Sequence, residues 1–171
     1  SHIVPPDGFE YWELVLCYVD DLLSISHDPL KTMHGVQNKF KLKDDKIAEP
    51  EIYLGAKLEK MMTKDGKWCW TMSSDEYCKA AVNNVEETVA REGRTLPTRC
   101  PSPIMSNYRP EMDVSPELKA DGTQYYQELI GVLRWAIEIG RCDILLEVAL
   151  LSSHCALPRI GHLEQVTHIF G

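Results

Sequence analysis

Apolar and polar positions along the chain change period several times, and each change marks an element. Leu14 to Ile25 is an apolar run rich in β-branched and aromatic residues, broken only by the adjacent acids Asp20 and Asp21. Its length suits strands better than a helix. Successive side chains of a straight strand point to opposite faces, so two neighbouring acids serve one ion only if the chain turns between the strands. Asp tolerates turn dihedrals, so the expected fold is a strand over Leu14–Val19, a turn at Asp20-Asp21 and a return strand over Leu22–Ser26. Upstream, the turn signal Pro5-Pro6-Asp7-Gly8 predicts that Ile3-Val4 pair with the segment after Phe9.

Beyond the hairpin, Asp28-Pro29 supplies an N-cap and a proline at the first helical position. Leu30, Met33, Val36 or Gln37, and Phe40 then follow at helical spacing, predicting an amphipathic helix. Ile52, Leu54, Ala56 and Leu58 alternate with Tyr53, Gly55, Lys57 and Glu59, which predicts a half-buried strand with a bulge or close backbone approach at Gly55. Asp65-Gly66 predicts a hairpin, with Trp68, Trp70 and Met72 on the return strand and the two tryptophans packed under a helix in preference to stacking on bases. Ser73-Ser74-Asp75-Glu76 reads as a capping box opening a helix whose apolar stripe is Tyr77, Ala81, Val85 and Val89.

The segment from Arg91 to Thr123 contains Pro97, Pro101, Pro103, Pro110 and Pro116, as expected of a linker or an extended wrapping loop. Past it the period is helical again. Tyr126, Ile130, Leu133 and Ile137 share one face of a helix that Gly140 ends. Asp143 is placed to cap a second helix, whose run Ile144 to Leu151 is apolar nearly all round and so predicts burial. Leu163, Val166 and Phe170 predict a third.

Composition narrows the class. A chain of 171 residues with 44% apolar content can bury a real core. The six cysteines are scattered, without a CxxC or a zinc spacing, and read as reduced thiols rather than a disulfide scaffold. The six histidines match no metal-binding pattern, and a structural role is expected of each. No apolar run is long enough to span a membrane and no signal peptide is evident, so the expectation is a soluble, cytoplasmic protein. A net charge of −8 runs against a generic polyanion binder, because phosphate contacts need Lys and Arg. Lys39, Lys41, Lys43 and Lys46 lie beside Asp44 and Asp45 and read as a solvated connector rather than a phosphate site.

Tyr18-Val19-Asp20-Asp21 on a hairpin between apolar strands resembles the YxDD box of reverse transcriptases. Several later segments extend the likeness. Tyr53-Leu54-Gly55 followed by Lys57-Leu58-Glu59 is similar to the FLG strand after the box. Tyr125-Tyr126, with Leu129-Ile130-Gly131 and Leu133, is similar to the YRSLIGSLLYL helix. Arg141-Cys142-Asp143-Ile144 resembles TRPDI with Cys142 in place of the usual proline, and Leu150-Leu151-Ser152 resembles the next LLS. This order is that of the Ty1/copia class of retrotransposon polymerases, over most of the chain from Leu14 onward and most weakly across Arg91 to Ala120.

That resemblance implies an α+β fold, with an antiparallel palm-type sheet and packed helices over residues 1–90, a proline-rich linker over 91–122 and a small helical thumb or connection segment over 123–171. It implies an RNA-directed DNA polymerase region of a Gag-Pol polyprotein, in which two Mg²⁺ ions activate a primer 3′-hydroxyl for attack on a deoxynucleoside triphosphate. Asp20 and Asp21 would be the catalytic metal ligands, Tyr18 and Val19 would lie near the primer end, and Leu54 and Gly55 would occupy the primer-grip position. The partners implied are an RNA or DNA template–primer duplex, dNTP, and the rest of the polyprotein with its fingers, RNase H and integrase; retroelement particles are the implied location. Members of the family also need a palm acid upstream of the box and fingers residues, which this chain lacks, and Asp7 is too close to the hairpin to serve. The expectation is therefore a C-terminal polymerase fragment, inactive alone and exposing apolar surface that its upstream half would cover. The alternatives are a degenerate relic or binding module, and another two-metal phosphodiesterase or nuclease. Electrostatics favours an ion at the acid pair: carboxylates about 4 Å apart repel by about 4 kcal/mol at an effective dielectric of about 20, which a divalent cation offsets.

Overall fold

A computed structural model describes residues 2–3, 10–42 and 46–171. It is an α+β structure of short antiparallel sheets and five α-helices. The chain divides into two compact units, residues 1–54 with 58–71, and residues 55–57 with 72–171.

In the first unit, β1 (His2–Ile3) pairs antiparallel with β2 (Tyr11–Trp12), with Ile3 opposite Tyr11. That is the pairing expected for Ile3; Val4 lies outside the described residues. β3 (Leu14–Tyr18) and β4 (Asp21–Ile25) form the central hairpin, in register from Leu14 opposite Ile25 to Tyr18 opposite Asp21. The turn falls one residue earlier than the sequence predicts, at Val19-Asp20, and Asp21 is the first residue of the return strand. α1 (Pro29–Gln37) starts as expected, with the Asp28 carboxylate accepting from the Lys31 amide. Glu13 ties the strand leading into the hairpin to this helix by accepting from Ser26 Oγ at 3.0 Å and Thr32 Oγ1 at 3.3 Å.

The expected continuous strand across Ile52 to Glu59 is instead a second tight hairpin. β5 (Ile52–Tyr53) turns at Leu54-Gly55 into β6 (Ala56–Met62), and the Leu58 amide bonds back to the Glu51 carbonyl at 2.8 Å. Both turn residues have positive φ, 54° and 83°, as a type I′ turn requires. The apolar residues alternate straight through the turn, so period alone did not reveal it; a two-residue turn reverses the parity of the faces, and Ile52 is 65% exposed while Ala56 is fully buried. β7 (Trp68–Ser73) completes a three-stranded sheet in the order β5-β6-β7, with Gly66 at φ 74° in the predicted loop. The tryptophans, expected under a helix, are exposed: Trp68 by 68% and Trp70 by 47%, with the Lys60 ammonium 4.9 Å from the Trp70 ring.

The core belongs to the second unit. α2 (Asp75–Arg91) and α3 (Ala120–Glu138) present Val85 and Val89, and Tyr126, Leu129, Ile130 and Leu133, to one another's side of that core. α4 (Leu145–Ser152) adds Val148 and Leu151, and α5 (Ile160–Ile169) adds Val166, with Phe170 just beyond it. These are the stripes the 3.6-residue period marked. Three capping details differ. Ser74 caps α2 without a side-chain bond, and Ser73 Oγ accepts from the Asp75 amide instead. Asp143 does not cap α4; Arg141 holds its carboxylate in a fork at 2.8–3.2 Å. Gly140, at φ 129°, follows the end of α3 as expected. α4 is also not buried all round, because Leu145, Leu146 and Leu150 are exposed by 54%, 66% and 43%.

The proline-rich segment is a wrapping strap rather than a free linker. Its backbone groups are met by the polar side of α5: Gln165 donates to the Pro103 carbonyl and accepts from the Met105 amide, and His162 Nε2 donates to the Pro110 carbonyl at 2.9 Å. Gln165 and His162 are nearly fully buried, and their full complement of partners is what makes that burial tolerable. His162 therefore has the structural role expected of it.

Candidate site at the acidic hairpin

The YVDD residues occupy the tip of the β3–β4 hairpin because the ladder closes at Tyr18 opposite Asp21 and leaves Val19 and Asp20 as a two-residue turn. Val19 has φ 54°. A β-branched residue is disfavoured there, and such backbone strain concentrates at functional turns. Val19 is 87% exposed and Tyr18 49%. Asp20 and Asp21 are both exposed.

Leu54 and Gly55, the other residues singled out from sequence, form the positive-φ turn of the β5–β6 hairpin. A Cβ added at Gly55 would sit 3.6 Å from Tyr77 Cδ2 and 3.8 Å from Trp135 Nε1, which is ordinary contact. Its glycine requirement is thus conformational rather than steric. Tyr53, one residue earlier, joins the acidic hairpin electrostatically. Burial raises the pKa of its phenol, and the Asp21 carboxylate and Cys17 thiol raise it further. Sequence reading treated Tyr53 only as the first letter of a strand motif. Its relation to Asp21 depends on the β5–β6 turn, which nothing local in the sequence announces.

The donor chemistry at the tip fits magnesium in kind. Carboxylate oxygens are the ligands a hard cation selects, and Mg²⁺ commonly keeps its waters while taking one or two carboxylates and substrate phosphates. Two carboxylates alone do not make a cage. Among the described residues no group of three or more His, Cys, Asp or Glu is placed to hold a metal; Asp7, Asp44 and Asp45 lie outside those residues.

No protein-family model matches the chain, and no solved structure matches it. The chain is similar to a curated protein of Saccharomyces cerevisiae, the putative transposon Ty5-1 protein, with 25% identity over 159 residues. The match covers 91% of this chain and 46% of that protein, so the chain spans about half the length of its curated relative. This similarity supports a retroelement origin. Among the described residues, no helix is long and apolar enough to cross a membrane.

Proposed function

We propose that this chain is part of a retrotransposon RNA-directed DNA polymerase and contributes the metal-binding hairpin of its palm. The observation that carries the reading is the placing of consecutive Asp20 and Asp21 at the exposed tip of an antiparallel hairpin, next to a left-handed Val19. Asp20, in the turn, and Asp21, opening β4, would supply carboxylate oxygens to divalent metal ions. When bound, those ions supply the activation of the primer 3′-hydroxyl and the stabilisation of the leaving pyrophosphate. The chain's own part is to hold the carboxylates at the closed end of an antiparallel ladder, Asp20 in the turn and Asp21 on the first pair, and to present the Tyr18 and Val19 side chains beside the reacting end.

Two further features support the reading. Every described residue that is buried lies in the second unit, so the apolar strands around the hairpin await a cover. Leu14, Val15, Leu16 and Ile25 are 42–51% exposed, as expected where additional polypeptide completes a palm. A third carboxylate would come from that polypeptide.

The test uses the protein encoded by the complete reading frame, assayed for template-directed dNTP incorporation with Mg²⁺. Incorporation is expected from that protein, to be lost in Asp20→Asn, and to be absent from the 171-residue chain. Incorporation that survives Asp20→Asn would refute the assignment. Metal-dependent cleavage of nucleic acid without incorporation, lost in the same variant, would move the protein to the phosphodiesterase class.

A further inference from the structure

Far along the sequence from the acidic hairpin, within the second unit, the strap and the last turn of α5 bring a thiol and a base together. Cys100 Sγ lies 3.5 Å from His168 Nδ1, and His168 Nε2 lies 3.0 Å from the Ser102 carbonyl oxygen. The carbonyl can only accept, so Nε2 carries the ring proton. In the neutral ring Nδ1 is then the unprotonated nitrogen, and it accepts from the Cys100 thiol. A nucleophile, a base and a group that fixes the base's tautomer thus stand in sequence, the arrangement that activates cysteine in covalent chemistry. His168 is on α5 while Cys100 and Ser102 are on the strap, so the triad exists only when the strap is seated.

The other five thiols are differently placed. Cys69 Sγ donates to the Met61 carbonyl at 3.5 Å, Cys78 lies beside the Arg141 guanidinium rather than a histidine base, burial pushes the Cys155 thiol up, and Cys17 and Cys142 are exposed. Cys100 is half-buried. Gly171 packs on one side of it: a Cβ added at Gly171 would come within 3.2 Å of Cys100 Sγ and would also meet Pro97.

We propose that Cys100 is a modification site, a thiol activated by His168 that exchanges with low-molecular-weight disulfides and thereby loosens the strap. In the step, His168 Nδ1 takes the thiol proton and the Cys100 thiolate attacks one sulfur of the disulfide. The S–S bond breaks, a mixed disulfide forms at Cys100, and the departing thiolate takes the proton back from the imidazolium. No further oxidant or reductant enters. The mixed disulfide removes the thiol proton that bonds His168 Nδ1, and with it one of the contacts that seat the strap on α5.

The experiment is competitive alkylation of the purified chain by iodoacetamide at pH 7, with the rate at each cysteine read by peptide mass spectrometry. Exposure alone ranks Cys142 above Cys100. The expected result is the reverse, with Cys100 roughly tenfold faster, since His168 Nδ1 stands ready to take the thiol proton as the sulfur attacks. His168→Asn should bring Cys100 down to the Cys142 rate or below while Cys155 stays slow. A wild-type Cys100 no faster than Cys142 overturns the proposal, as does an unchanged ratio in His168→Asn. Should Cys155 accelerate in that variant, showing a loosened fold, the wild-type ratio decides alone. With glutathione disulfide as the probe, Cys100 should be the first thiol modified, and the Met105 amide, bonded to Gln165, should lose hydrogen-exchange protection. Modification that starts at another cysteine, or leaves that protection intact, overturns the disulfide-exchange step.

Discussion

The Tyr126 hydroxyl, on α3, donates to the carbonyl of Leu151 at 2.7 Å, near the end of α4, and both residues are fully buried. The same carbonyl accepts from the His154 amide at 3.0 Å. It therefore keeps one partner if the phenol is removed. Tyr126→Phe is expected to lower stability by about 1 kcal/mol, the net worth of one such bond, rather than by the larger cost of an orphaned acceptor. Urea denaturation of the two proteins measures it.

Leu151 and Leu146 lie on opposite sides of α4, and this separates two outcomes that hydropathy cannot. Leu151 is 0% exposed and Leu146 66%. Leu151→Ala should cost about 2–5 kcal/mol through lost burial and a residual cavity. Leu146→Ala should stay within about 0.5 kcal/mol. Equal losses in thermal unfolding would show that the exposed face of α4 is covered.

Gly161 stands at the start of α5 against Asp113. A Cβ there would fall on the Asp113 carboxylate, which accepts from Tyr108 Oη at 2.6 Å and the Ser115 amide at 2.7 Å. Gly→Ala inside a helix ordinarily stabilises by about 0.5–1 kcal/mol. Here the sign reverses, because making room breaks two charge-assisted bonds, and Gly161→Ala is expected to destabilise by about 2 kcal/mol. Circular dichroism during denaturant titration checks the sign.

Acidification should weaken the second unit in two stages. Burial lowers the pKa of His154, and the neighbouring His162, whose ring lies 4.2 Å away, lowers it further; Glu111 and Asp113 pull the other way. The unfolded chain thus binds a proton at His154 before the folded chain does, starting near the ordinary value of about 6.5. Stability from this group is present above that pH and lost as pH falls from it through the folded value. At Asp113, burial alone would raise the carboxyl pKa, but the bonds from Ser115 and Tyr108 outweigh it and hold it low. That contribution is present above the unfolded value of about 3.9 and lost as pH falls through the folded one. His154→Gln should flatten the first stage in denaturation midpoints between about pH 7 and 5 and leave the second.

Val19 tests the strain at the acidic tip. Its φ of 54° disfavours a β-branched residue, and at 87% exposure it has little packing to lose. Val19→Asn should stabilise the hairpin by about 1 kcal/mol, since Asn tolerates the left-handed region. Slower exchange of the hairpin amides would register it; faster exchange would mean that Val19 is held by contacts of its own.

Much of this architecture was legible in the chain because local rules decided it. The Asp28-Pro29 start of α1, the stripes of α2, α3 and α5, and the glycine ending α3 follow from helical period and backbone dihedrals. The two acids on a hairpin follow from apolar strands meeting a turn-tolerant pair. The register of that turn did not, because Val19-Asp20 and Asp20-Asp21 are both acceptable locally and the pairing of Tyr18 with Asp21 selects between them. The Leu54-Gly55 turn was hidden for a related reason: the apolar residues run on in alternation through it, although the turn reverses which face each parity occupies and leaves Ile52 exposed and Ala56 buried. Exposure of Trp68, Trp70 and the outer leucines of α4 could not be read from hydrophobicity, which says what would gain from burial and not what is present to bury it. Nor could the seating of the strap on His162, Gln165 and His168, or the meeting of Cys100 with His168 across 68 positions of sequence. Those contacts are long-range, and only the folded chain brings the partners together.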